Sequence, residues 1–221
     1  MIRISVALCL LLAAPEPARS QETFGQVNFI NASPHSALQL TIGGDTLGSD
    51  IGLRPGDFDG PYEFIARPYT IELIDAESGD VLAKTSIDLG DESELVFIAH
   101  PSPPEEETDN GDLDLLVLSR DELFEADEEP GLLFISFLSD AEASFTFGGE
   151  TRSWPFGEQI RIEGWPLEEI EAKDPEGEWG AFLEWSSDRA EFERYQVLAI
   201  FPGPDEIPLL TRHVFFFDEA G

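Results

Sequence analysis

Apolar and polar residues alternate in short bursts along the first half of the chain. Segments 26–30, 37–42, 62–66, 69–74, 81–89 and 113–118 read as short strands broken by turn residues. Segment 95–99 (Leu-Val-Phe-Ile-Ala) is a continuous apolar run, the mark of a central strand. Asp75-Ala76-Glu77-Ser78-Gly79-Asp80 separates two of these segments as a hairpin turn. No stretch holds a helical period. Strand spacings of about 8–12 residues predict a sandwich or small barrel.

The second half repeats this grammar. Thr41-Ile42-Gly43-Gly44-Asp45-Thr46 returns as Thr146-Phe147-Gly148-Gly149-Glu150-Thr151, one hundred and five residues later. Phe29-Ile30 returns as Phe134-Ile135 at the same offset, and Ile98-Ala99-His100-Pro101 faces Ala199-Ile200-Phe201-Pro202 at one hundred and one. A constant offset that slips late is what loop-length drift after internal duplication leaves. Each Gly-Gly pair ends an alternating strand and is followed by an acid. A phosphate loop would lead into a helix, so the pairs are expected to be two-residue hairpin turns.

The start of the chain reads as a secretory leader. Arg3 precedes an apolar run, and Ala18-Arg19-Ser20 has the small-x-small form of a processing site, giving a signal peptide over 1–20. The run is too short to span a bilayer, and nothing after residue 20 is apolar and long enough to do so. The expected location is therefore periplasmic or secreted. Cys9, the only cysteine, lies within the leader, so the remaining chain has no disulfide, thiol nucleophile or zinc-thiolate site. Two Ig-like antiparallel β-sandwich domains are expected, at 21–119 and 131–221, joined by an acidic linker over 120–130.

Charge narrows the partners. The formal net charge is −34 at pH 7, with two lysines, Lys84 and Lys173. Such a surface repels nucleic acid, anionic lipid and anionic polysaccharide, which points to protein partners. Hydrophobic content of 42% with 17 Phe is ample for packed cores, so the acidity does not imply disorder.

Candidate chemistry is sparse. His35, His100 and His213 are the only histidines, His100 has Phe201 as its counterpart, and no Gly-x-Ser-x-Gly elbow occurs. No catalytic residue is assigned, and a secreted hydrolase ranks last. Carboxylate pairs for glycoside hydrolysis cannot be chosen among so many acids. Asp109, Asn110, Asp112 and Asp114 crowd oxygen ligands around Gly111, so Asp109, Asp112 and Asp114 are the calcium candidates, without the full twelve-residue loop. No other cofactor is expected. All four tryptophans fall in the second half. Aromatics in a small sandwich more often fill the core; Trp154 and Trp165, each before a proline, are the candidates for an exposed sugar or partner contact.

The repeated entry pattern carries a resemblance. "VNFINASPHSALQLTIGGDTL" (27–47) and "FISFLSDAEASFTFGGE" (134–150) resemble the openings of the two domains of the alginate O-acetylation accessory proteins, and of a related uncharacterised extracellular sandwich family. The resemblance implies a periplasmic, non-catalytic adaptor with tandem sandwiches, whose partners are exported or membrane proteins such as O-acetyltransferases. It supplies no catalytic residue. The acidic stretches at 105–112 and 120–130 depart from that pattern. The alternative is a secreted carbohydrate- or calcium-binding surface protein.

Overall fold

A computed structural model describes residues 22–103, 113–120, 132–138, 142–147, 149–162, 167–173, 180–183, 196–203 and 208–214. The leader and the linker beyond Arg120 lie outside the described residues. The protein is all-β, in four four-stranded sheets. In the first half, sheet I holds β4 (Phe58–Ile65), β1 (Phe24–Asn31), β7 (Glu94–Pro101) and β8 (Leu113–Ser119), in that order. Sheet II holds β3 (Asp45–Leu47), β2 (Leu38–Ile42), β5 (Pro68–Asp75) and β6 (Val81–Asp88).

The second half follows the same strand order. Sheet III runs β12 (Gln159–Ile162), β9 (Leu132–Ser136), β15 (Gln196–Pro202), β16 (Pro208–Val214). Sheet IV runs β11 (Glu150–Trp154), β10 (Glu142–Phe147), β13 (Leu167–Lys173), β14 (Gly180–Leu183). Loop contacts recur too. Gly56 N donates to Asn31 O at 2.8 Å and Gly157 N to Ser136 O at 2.6 Å, while Ala32 N donates to Ala99 O and Phe137 N to Ile200 O, both at 2.8 Å.

The sheets are rich in antiparallel pairs but not wholly antiparallel, which corrects the expectation. β1 pairs with β7 in parallel, as β9 does with β15. The chain leaves sheet I after β1, builds β2 and β3 in sheet II, and returns twice, so its first and seventh strands end up side by side. Alternation reveals which residues face the core, but it is silent about strand direction.

Sheets I and II enclose one core. Val27 and Phe29 of β1 and Leu95, Phe97 and Ala99 of β7 meet Leu38, Leu40 and Ile42 of β2 and Ile71 and Leu73 of β5. The intervening residues point the other way into a second core, which joins the halves. Ile30, Val96, Ile98 and Leu118 of sheet I pack there with Leu133, Ile135, Val197, Ala199 and Phe201 of sheet III. The layers are therefore stacked II, I, III, IV, with Phe134 of β9 meeting Trp154 of β11 edge-on between the last two, ring centroids 5.2 Å apart.

Equivalent positions supply both sides of the middle layer: Ile30 and Ile135, Val96 and Val197, Ile98 and Ala199. Meeting by the same face is an isologous contact, which a two-fold-like relation produces and a simple translation cannot. A polar bond crosses the contact as well, from Thr211 Oγ1 to Gly56 O at 3.1 Å.

Because the halves share this layer, they should unfold together. Ile98→Ala is expected to cost about 2–4 kcal/mol, the usual range for truncating a buried branched side chain. The four tryptophans, all in the second half, report whether the loss is shared. Their fluorescence midpoint in urea should fall with that of the whole chain followed by far-UV circular dichroism. An unmoved tryptophan midpoint would show independent halves.

Candidate functional site

The first Gly-Gly hairpin forms as a two-residue turn. Ile42 pairs with Asp45, and the two glycines between them take φ of 59° and 98°, which favours glycine at both places. A Cβ on Gly43 would lie 3.0 Å from a ring carbon of Tyr69. In the second half Phe147 pairs with Glu150, and Gly149 has φ 79°.

Beside the first turn, sheet II carries an open depression of about 450 Å³, lined by Gly43, Gly44, Arg67, Tyr69, Thr70, Glu72 and Lys84, with Pro68 at its edge. The strands position these residues in rows. Thr46 pairs with Thr41, Thr41 with Glu72, and Glu72 with Lys84, so a polar row crosses four strands at one register. Residues alternate across a strand, so the row lies opposite the apolar face of Leu40, Ile71 and Leu73. Backbone pairing places Thr146, Thr151 and Glu169 in the same register relation on sheet IV.

The two cations at this depression are held differently. Lys84 Nζ lies 2.6 Å from Glu72 Oε1, with the lysine side chain 58% exposed. An exposed pair of this kind contributes at most about 1 kcal/mol, so it constrains position more than stability. Arg67 sets its guanidinium carbon 4.9 Å from the centre of the Tyr69 ring. Tyr69 is itself fixed, its hydroxyl donating to Ile65 O at 3.0 Å. Among the described residues, Arg67 has no carboxylate at ion-pair distance. The lining thus offers guanidinium, ammonium and hydroxyl donors beside one carboxylate acceptor, a set suited to holding a small polar ligand.

The sequence-derived candidates fall elsewhere. Trp154 is 2% exposed and packs on Phe134, so it is a core residue and not a surface contact. The Trp-Pro pattern correctly marks a strand end, but the last residue of β11 faces inward toward sheet III. Trp165, Trp179 and Trp185 lie outside the described residues, as do Asp109 and Asp112. Asp114 is exposed on β8, and its Oδ1 accepts a bond from Leu115 N at 2.7 Å. Among the described residues no three His, Cys, Asp or Glu side chains gather as a metal site.

Reading the sequence missed Arg67, Tyr69, Thr70, Glu72 and Lys84. The available signal was the rarity of lysine in so acidic a chain, together with Thr41, Thr46 and Glu72, which only strand pairing brings together.

His100 sits between the halves. Its ring stacks on Phe137 of the second half at 4.3 Å and 9°, with Phe156 edge-on at 6.5 Å. Nδ1 donates to Pro101 O at 2.7 Å. Burial pushes its pKa below the usual 6.5, against the opposing pull of the Pro101 carbonyl and of Asp114. A neutral ring stacked on an aromatic partner is a packing group, matching Phe201 at the corresponding place in the second half. His35 instead meets Asp75, Nε2 to Oδ2 at 3.4 Å.

Comparison with known proteins returns no family model that matches the chain and no curated protein that matches it in sequence. Fold and site together define an all-β, sandwich-like protein with a polar depression on one outer sheet. Among the described residues no helix is long and apolar enough to cross a membrane.

The depressed pKa of His100 sets a pH dependence. The unfolded chain takes up a proton near pH 6.5 while the folded chain resists it. Stability is therefore whole above that pH and falls as pH drops through 6.5 toward the folded value, by at most about 1.4 kcal/mol per unit. His100→Phe should remove this component, so the variant's stability relative to the parent should rise between pH 7.5 and 5.5 in urea titrations. A constant difference across that range would contradict the assignment.

Proposed function

We propose that the chain is an exported, non-catalytic accessory protein acting through protein contacts, in the O-acetylation of an exopolysaccharide. In this reading it consists of two tandem Ig-like sandwiches that arose by internal duplication. The observation that carries it is the strand order shared by the two halves, with β1 to β8 answering β9 to β16 sheet by sheet. That is the two-sandwich plan expected from the resemblance of the two opening motifs. The acidic surface adds weight to a protein partner, because a formal charge of −34 opposes a grip on a polyanion.

Two measurements test the reading. Deleting the gene from a polymer-producing host should leave polymer yield intact and strip the polymer of its O-acetyl groups. Unchanged acetyl content would overturn the proposal. The exported form, sequenced from its N-terminus after fractionation, should begin at Gln21, and a chain beginning at Met1 would refute export by cleavage.

A further inference from the structure

We propose that the depression on sheet II is a binding site for a small carboxylate that also carries hydroxyl groups, a sugar acid or related hydroxy acid. The inference rests on the site's own chemistry and is independent of the accessory role above.

Three observations carry it. The first is electrostatic. In a chain with 46 acidic and 12 basic residues, the depression gathers two cations, Arg67 and Lys84, against one carboxylate, Glu72. Its lining carries one more cation than carboxylate, on a molecule whose overall field repels anions, so recognition has to come from short-range contact. The second is the state of Arg67. Its flat face is placed by the Tyr69 ring, and its planar fork has no carboxylate partner among the described residues. A guanidinium held in this way suits two-pronged capture of a carboxylate.

The third observation separates a hydroxy acid from a bare anion. Glu72 lines the same depression and would repel a second negative charge, yet it accepts hydrogen bonds from hydroxyls. Thr70 is exposed at the wall and can donate or accept. Gly44 leaves the adjoining turn clear, with no atom within 4 Å of where a Cβ would stand. One carboxylate on Arg67 with hydroxyls reaching Glu72, Lys84 and Thr70 uses every polar group of the lining. A dianion, a cation or an apolar ligand does not.

The test is a titration of the full mature chain, followed by amide chemical shifts. D-Glucuronate should give saturable shifts at Gly43, Gly44 and Thr70, whereas D-glucose and acetate bind at least about tenfold more weakly, the loss expected for one charge-assisted contact. Arg67→Gln and Lys84→Gln should each weaken glucuronate by about tenfold or more, with circular dichroism unchanged, since both side chains are exposed. At equal uronate concentration an oligouronate should bind no more tightly than the monomer, because the acidic surface repels a polyanion. Tighter binding by the oligouronate would overturn the assignment to a small free acid. Absence of saturable shifts, acetate binding as tightly as glucuronate, or parental affinity in Arg67→Gln would each overturn the proposal.

Discussion

Everything in this molecule hangs on strands that are buried on both faces. In β7 all of Glu94 to His100 is buried, and its apolar side chains alternate between two cores. β1 is shared in the same way from Val27 onward. Each branched or aromatic side chain so buried contributes about 1.5–3 kcal/mol relative to exposure, and the strands contribute on both sides at once. Parallel pairing at the centre of sheets I and III follows from this, because strands covered on both faces are where parallel pairs are found. With the inner sheets committed to one another, the broad faces left for other molecules are the outer ones.

The acidic surface is reconciled with this core by placement. Asp75 closes the turn after β5, its Oδ1 accepting from Glu77 N at 2.7 Å and Ser78 N at 3.0 Å. The amide of Ser78 holds its pKa below the usual carboxylate value, helped by the Glu77 amide and by His35. Tyr62 responds in the opposite sense, its pKa pushed up to about 12 by burial and by neighbouring Asp59. Carboxylates that serve as turn acceptors stabilise local structure without a cation. Scarce cations are therefore free to mark particular places, and Lys84 and Arg67 mark the same one.

Much of the fold was legible because alternation reports facing. The polar–apolar rhythm of 37–42 and 69–74 survives as β2 and β5, and the apolar run at 95–99 as the interior of β7. The Gly-Gly pair fixed its turn because two successive positive φ angles leave few other residues possible. What was not legible depends on long-range pairing. Strand direction leaves no trace in alternation. Trp154 looked like a turn residue because only the meeting of β10 and β11 reveals which way it faces. The depression joins residues from two strands and two turns, of which only the Gly-Gly pair belonged to a motif.

The division between what the halves share and what they do not is itself informative. The shared positions, Ile30 with Ile135 or Val96 with Val197, are the ones that build the common layer. The differences are polar in both halves: Gln196, buried on β15, stands where the first half has Leu95. Asn31 donates to His35 O and Leu53 O at 2.9 and 3.0 Å, where the second half has Ser136. His100 stands where Phe201 would otherwise repeat. A molecule that needed only the shared layer could keep both halves alike, since symmetry already satisfies the isologous contact. Of the differences, His100 packs across the contact on Phe137, whereas the polar row of the outer sheet, which Lys84 closes in the first half, reaches solvent. Stability thus rests on the layer the halves share, and binding is to be sought on the outer sheet, where the first half carries Arg67 and Lys84.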